Sequence, residues 1–252
     1  MGHKGWSIRV GAAVLRPVLT AFTRREWIDG EKLPATGGVI VVVNHVTKID
    51  PLTVSHLLYD HGRIPRFLAK DGLFTVRGLG GFMRNAGQIP VARLSAGAHQ
   101  AYAAAIAALE AGECLVVYPE GTVTRDPGLW PMRGKSGAAR LALASGAPVI
   151  PVAHWGEQEI LAPYATRPNL FPPKRVQVRV GDAVYLGDLR QDDPSPESIA
   201  EATRRIMSAL TDLVAQLRQE RPPAELFDPA AAGIAEIGNP NKVNPSRKQK
   251  NS

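Results

Sequence analysis

A single cysteine, Cys114, stands in 252 residues, which excludes a disulfide within the chain. Its place in the apolar run Cys114-Leu115-Val116-Val117 predicts a buried structural thiol and fits a reducing, cytoplasmic compartment. Long apolar runs are also missing. Charge or proline breaks every candidate before the roughly 18 consecutive apolar residues that a spanning helix needs, so the chain is not expected to span a bilayer. His56 and His61 lie at no ligand spacing from His45, and no metal is expected. Neither a Gly-x-Ser-x-Gly turn nor a poised cysteine is present, which argues against nucleophile-based hydrolases. Zinc, recognition-helix and aromatic-basic signatures are absent too, so the sequence gives no reason to expect a nucleic-acid partner.

What is abundant is positive charge. The formal net charge of +7 and a pI near 9.7 imply attraction to polyanions such as an anionic bilayer or phosphorylated small molecules. At the N-terminus, Trp6 to Phe22 mixes Trp, Val, Leu and Phe with Arg9 and Arg16, and Lys4, Arg24 and Arg25 flank it. That composition suits a retained amphipathic helix lying on a membrane surface over residues 1–25, kinked at Pro17, or an ordinary helix packed on the domain. From Arg221 the chain is rich in Pro, Asn and Ala and ends in Lys242, Arg247, Lys248 and Lys250, so 221–252 is expected to be a disordered basic tail.

Between these ends, over 26–220, strand and helix patterns alternate. Val39 to Val43 is a β-branched run without a polar residue and reads as a central strand buried on both faces. Further strands are expected at Arg66–Lys70, Gln88–Val91, Leu115–Tyr118, Val149–Val152 and Arg175–Val180. Helices are expected after Asp50-Pro51, from Ser95 to Glu110, over Lys135–Ala144 and from Ser195-Pro196 onward. The fold class is therefore α/β, a single domain with a mostly parallel central sheet covered by helices on both faces.

Three constellations carry chemistry. Asn44-His45-Val46-Thr47-Lys48-Ile49-Asp50 follows the central strand, where open α/β sheets place ligands. His45 can exchange a proton near neutral pH, and Asp50 can turn back to fix its tautomer; Asp50 can equally cap the helix opened by Pro51. Tyr118-Pro119-Glu120-Gly121-Thr122 lies just past another apolar strand, with a glycine for close approach beside a carboxylate and a hydroxyl. Gly87 to Arg93 ends a strand on an arginine that can grip a phosphate in bidentate fashion.

Together these resemble the glycerolipid acyltransferases of the 1-acyl-glycerol-3-phosphate acyltransferase type. The Asn-His-x-x-x-x-Asp block is matched by Asn44, His45 and Asp50, and Gly-x-Ile-x-x-x-Arg by Gly87, Ile89 and Arg93. Pro-Glu-Gly-Thr stands at Pro119 to Thr122, and an apolar Val-Ile-Pro-Val strand at Val149 to Val152, preceded by the Lys135–Ala142 helix. Two departures touch the acceptor side. Val123-Thr124-Arg125 replaces the family's Arg-Ser, and Lys70-Asp71-Gly72-Leu73-Phe74 keeps the lysine of a Lys-x-Glu-Leu-Phe segment but not its glutamate.

The resemblance implies His45 as general base and Asp50 as its orienter, without a covalent intermediate. It implies a co-substrate rather than a cofactor: an acyl thioester of coenzyme A or acyl carrier protein. The acceptor would be a lysophospholipid, first of all 1-acyl-glycerol-3-phosphate giving phosphatidic acid, with another lysophospholipid, a glycolipid or a non-catalytic lipid-binding role as alternatives. Arg93, helped by Lys70, Lys135 or Arg125, would hold the acceptor phosphate, while Glu120, Gly121 and Thr122 shape its pocket. The expected location is peripheral, on the cytoplasmic face of the cell membrane. No chemistry is read from Trp155 to Glu159.

Overall fold

The computed structural model describes residues 6–91 and 97–235, apart from the side chains of Arg9, Gly97 and Ala98. In chain order the elements are α1 (Trp6–Phe22), β1 (Thr23–Ile28), β2 (Val39–Val43), α2 (Asp50–Asp60), β3 (Pro65–Lys70), α3 (Leu79–Asn85) and β4 (Ile89–Val91). They continue as α4 (Gly97–Glu110), β5 (Cys114–Val117), α5 (Gly137–Ser145), β6 (Val149–Trp155), α6 (Glu157–Ile160), β7 (Lys174–Val180) and α7 (Pro196–Arg218). The seven strands form one sheet in the order β1-β7-β6-β2-β5-β3-β4. Only the β6–β7 pair is antiparallel, so β6, β2, β5, β3 and β4 end on the same edge. The expected mostly parallel α/β sheet is what forms.

Alternation along the central strand divides the core. Ile40 and Val42 face α4, α5 and α7, packing with Ala105, Leu109, Leu141 and Ile206. Val39, Val41 and Val43 face α2 and meet Val54, Leu57 and Leu58. Both faces are covered, which is why a strand of five β-branched residues carries no polar position. At its start Gly38 is required by space, because a Cβ would come 2.1 Å from the Leu109 carbonyl oxygen. Helix α7 starts as its sequence predicts: Ser195 accepts from the Ser198 amide and Pro196 takes the first turn.

The two ends of the chain depart from expectation. The segment from Thr23 is a strand, parallel to β7, so the N-terminal unit does not run as far as Arg25. Charge hides it in the sequence, but Glu26 takes Arg175 at 2.8 Å and Gln177 at 3.1 Å from β7. Residues 221–235 are not a disordered tail. Phe227 forms a parallel bridge with Met132, its carbonyl accepts from the Arg133 amide at 2.9 Å, and Asp228 pairs with the Arg133 guanidinium at 2.8 Å. Residues 236–252 lie outside the described part.

Helix α1 is fastened on one side. The Ser7 amide and hydroxyl both reach Asn85 Oδ1 of α3, and Arg16 pairs with Asp60 of α2 at 2.8 Å. On its other side Trp6, Val10, Val14 and Val18 repeat every fourth residue, 59%, 49%, 56% and 47% exposed. No helix among the described residues is long and apolar enough to cross a membrane.

Buried Arg63, just after α2, donates to the carbonyls of Pro34 at 3.0 Å, Gly37 at 2.6 Å and Gly112 at 3.3 Å. One guanidinium thus ties the entries of β2 and β5. Arg63→Ala should lower unfolding free energy by about 3 kcal/mol, since hydrogen bonds to charged groups contribute ~1.5–3 kcal/mol each and the carbonyls are only partly rehydrated. A urea titration showing a loss under ~1 kcal/mol would mean that other contacts hold these loops.

Candidate active site

The loop between β2 and α2 folds around one buried carboxylate. Asp50 Oδ2 accepts from the Val46 amide at 2.8 Å, the Thr47 amide at 2.9 Å and the His45 ring at 2.9 Å. Asp50 is the first residue of α2 behind Ile49, and it makes no side-chain cap. Of the two roles open to it, the structure takes the turn back onto the loop. As an acceptor of amide hydrogens, Asp50 assigns the proton on His45 to Nδ1 and leaves the Nε2 lone pair outward. The imidazole side chain is 17% exposed.

The backbone of His45 is gripped by the loop after β5. Its amide donates to Glu120 Oε1 at 2.9 Å, and its carbonyl accepts from the Thr124 amide at 2.6 Å. The Tyr118 ring lies against the imidazole, centroids 4.3 Å apart and tilted by 30°, and stacks on Phe67 beyond. Ring plane, tautomer and backbone are all specified before any substrate arrives. That is the arrangement a general base requires.

Glu120 is a brace. Its second oxygen accepts from the Met132 amide at 3.0 Å, so both oxygens are engaged by backbone. Burial pushes its carboxyl up to about 8, against those two donors. Gly121, at φ +73°, lets the Lys135 side chain cross closely: a Cβ there would meet Lys135 Cδ at 3.3 Å. Glu120, Thr122 and Lys135 line a cavity of about 300 Å³ with Met132, Arg133 and Asp228. Arg125 is buried, and Lys70 is exposed at the end of β3, two strands from β2 on the same edge. Arg93 lies outside the described residues. Among the described residues no group of three or more His, Cys, Asp or Glu could hold a metal.

Two side chains to which the sequence motifs give no role complete the setting. His154, buried near the end of β6, accepts the Asn44 side-chain amide on its carbonyl at 3.1 Å and donates its own amide to Asn44 Oδ1 at 3.0 Å. Its ring reaches Glu157 Oε2 at 3.0 Å and the Asn44 carbonyl at 2.7 Å. The signal was a histidine and a glutamate three apart, just past a strand ending on the edge that carries His45.

The model of the family described as Acyltransferase matches residues 24–155. An uncharacterized protein of Mycobacterium leprae is 27% identical over 227 residues, covering 75% of this chain and 59% of its own length. A chloroplastic 1-acyl-sn-glycerol-3-phosphate acyltransferase of Brassica napus is 29% identical over 133 residues, 52% of this chain and 37% of that protein. The chain therefore spans less than two thirds of these curated relatives. The crystal structure of the 1-acyl-sn-glycerophosphate acyltransferase PlsC from Thermotoga maritima has a TM-score of 0.65 at 20% identity, over 85% of this chain and 81% of that one, a likeness of fold.

Glu120→Gln keeps one acceptor oxygen but leaves one backbone N–H facing an amide N–H₂. It should cost about 1–3 kcal/mol. Because the folded carboxyl is raised from 4.5 to about 8, folding takes up a proton between those values, and this residue's contribution to stability falls as pH rises through that window. The difference in stability between wild type and Glu120→Gln should therefore shrink from pH 5 to pH 8. A difference independent of pH would show that the carboxyl stays ionised throughout.

Proposed function

This chain belongs to the Acyltransferase family, and we propose that it moves a fatty acyl group from a thioester carrier onto the free hydroxyl of a 1-acyl-glycerol-3-phosphate, with His45 as general base. The observation that carries the reading is the 2.9 Å contact from His45 Nδ1 to buried Asp50, which leaves Nε2 turned outward as a base.

In this reading Nε2 takes the hydroxyl proton as the acceptor oxygen attacks the thioester carbonyl carbon. The tetrahedral intermediate collapses with cleavage of the C–S bond, and the departing sulfur receives the proton from Nε2. Asp50 faces the imidazolium that exists between those steps, and no acyl group is attached to the protein. General-base assistance supplies about 10²- to 10⁴-fold, so positioning of the acceptor supplies much of the remainder. The donor is acyl-coenzyme A or acyl carrier protein. The acceptor phosphate falls to Arg93, named from its sequence block, with Lys70, Arg125 or Lys135, the last beside the cavity that Glu120 and Thr122 border.

Delivery of such a substrate calls for a lipid surface. The exposed stripe of Trp6, Val10, Val14 and Val18 supports peripheral binding at the cytoplasmic face of the membrane, joined by exposed Leu73, Val76 and Leu79 on and before the neighbouring α3. Exposed Arg77, between Val76 and Leu79, favours anionic headgroups.

Incubation with palmitoyl-coenzyme A and lysophosphatidic acid should release free coenzyme A, and His45→Ala should abolish release while the protein still folds, as read by circular dichroism. Activity of His45→Ala above a hundredth of wild type would exclude it as the base. Release with a different lysophospholipid or a glycolipid alone would reassign the acceptor. Separately, replacing Val10, Val14 and Val18 by Ser should cut sedimentation with anionic liposomes at least tenfold; equal sedimentation would assign membrane contact to another surface.

A further inference from the structure

Behind the His45–Asp50 pair, away from the side where Nε2 opens, lies a second histidine–carboxylate pair. His154 and Glu157 both have fully buried side chains. The hydrogens on this ring follow from its neighbours. Nε2 faces the Asn44 carbonyl at 2.7 Å and Asp50 Oδ2 at 3.6 Å, oxygens that only accept, so Nε2 carries a hydrogen. Nδ1 faces Glu157 Oε2 at 3.0 Å, and one further hydrogen is shared across that contact.

Charge balance points the same way. Asp50 and Glu157 place two carboxylates in one closed region, and an uncompensated buried charge is expensive. A cationic His154 balances one of the two and lies within 3.6 Å of both. Burial lowers the imidazole pKa, but Glu157, then Asp50, and hydrogen bonds to Glu157 and Asn44 outweigh it and carry it up to about 10. The other titratable groups around this region are His45 and, from the loop after β5, Glu120 and Tyr118.

We propose that His154 is a positioning residue for the base: paired with Glu157, it fixes the Asn44 carbonyl and the Asp50 carboxylate, and through them the orientation and basicity of His45. This rests on His45 being the base. The pair is close to neutral as a whole, so it orients the loop without flooding it with charge. Its positive end lies nearer Asp50 than its negative end does, which restrains Asp50 from over-stabilising a protonated His45. A purely structural cluster would hold the loop equally well but leave the proton affinity of His45 alone. That difference is measurable.

The discriminating variant is His154→Gln/Glu157→Gln, which retains amide hydrogen bonding and the net charge of the pair while deleting both charges. Expected are a kcat at least tenfold lower at neutral pH, KM for thioester and lysolipid within twofold of wild type, and an acid limb of the kcat/KM–pH profile moved upward by half a pH unit or more. An unchanged kcat and pH profile would overturn the proposal even with His45→Ala inactive; active His45→Ala would instead overturn the base assignment on which it rests. Should the double variant not fold, ¹⁵N-histidine spectra of the wild-type protein decide the matter. They should show His154 with hydrogens on both ring nitrogens from pH 6 to 9, and a ring that titrates near 6.5 would overturn the proposal.

Discussion

A carboxylate oxygen with no solvent around it needs hydrogen donors, and the loop after β2 is shaped to supply them to one oxygen of Asp50. Asp50 Oδ2 collects two backbone amides and the His45 ring. Meeting that demand bends Val46 and Thr47 inward and brings the imidazole back over the start of α2. Everything else near His45 is a second line of support. The loop after β5 holds the backbone of His45 by both its polar groups, and Asn44 binds the loop sideways to β6.

These supports are tied to the rest of the domain. Met132, which meets Glu120 through its amide, is bridged to Phe227 of the C-terminal segment. At the other end of the same loop, Arg218 of α7 lies between Trp130 and Trp155, its guanidinium carbon 4.0 Å and 4.4 Å from the two ring centroids. It also donates to the Gly128 carbonyl at 2.7 Å. Segments about a hundred residues apart in sequence thereby share one frame, and His45 is held in part by residues that never approach it.

The central strand was legible because burial on both faces leaves a composition that nothing else imitates, and the spacing of His45 and Asp50 was legible because the contact is local. Thr23 to Ile28 was not: an edge strand can be charged, and its pairing with β7 shows only when the partner across the sheet is known. The Asp50-Pro51 pair looked equally like a helix cap, since a cap and a turned-back carboxylate differ by one backbone rotation. His154 and Glu157 stayed silent for a different reason. Their partner Asn44 is 110 residues away, and only the adjacency of β2 and β6 makes neighbours of them. Arg93 was singled out by its place after a strand, yet it falls beyond the described residues. The segment after Arg221 misled by composition, because proline and alanine also suit a strap held by the packing of Leu226, the backbone of Phe227 and the Asp228–Arg133 ion pair.

Helix α1 ends at Phe22 and β1 begins at Thr23, with no residue between them. Here the helix axis passes directly into the hydrogen-bond ladder of the sheet, and Ser7 and Arg16 fasten its flank to α3 and α2. The exposed stripe of α1 and the sheet edge bearing His45 are thereby held in one fixed relation to each other. The distance between stripe and site is set by the fold itself, with no connecting residue to vary it.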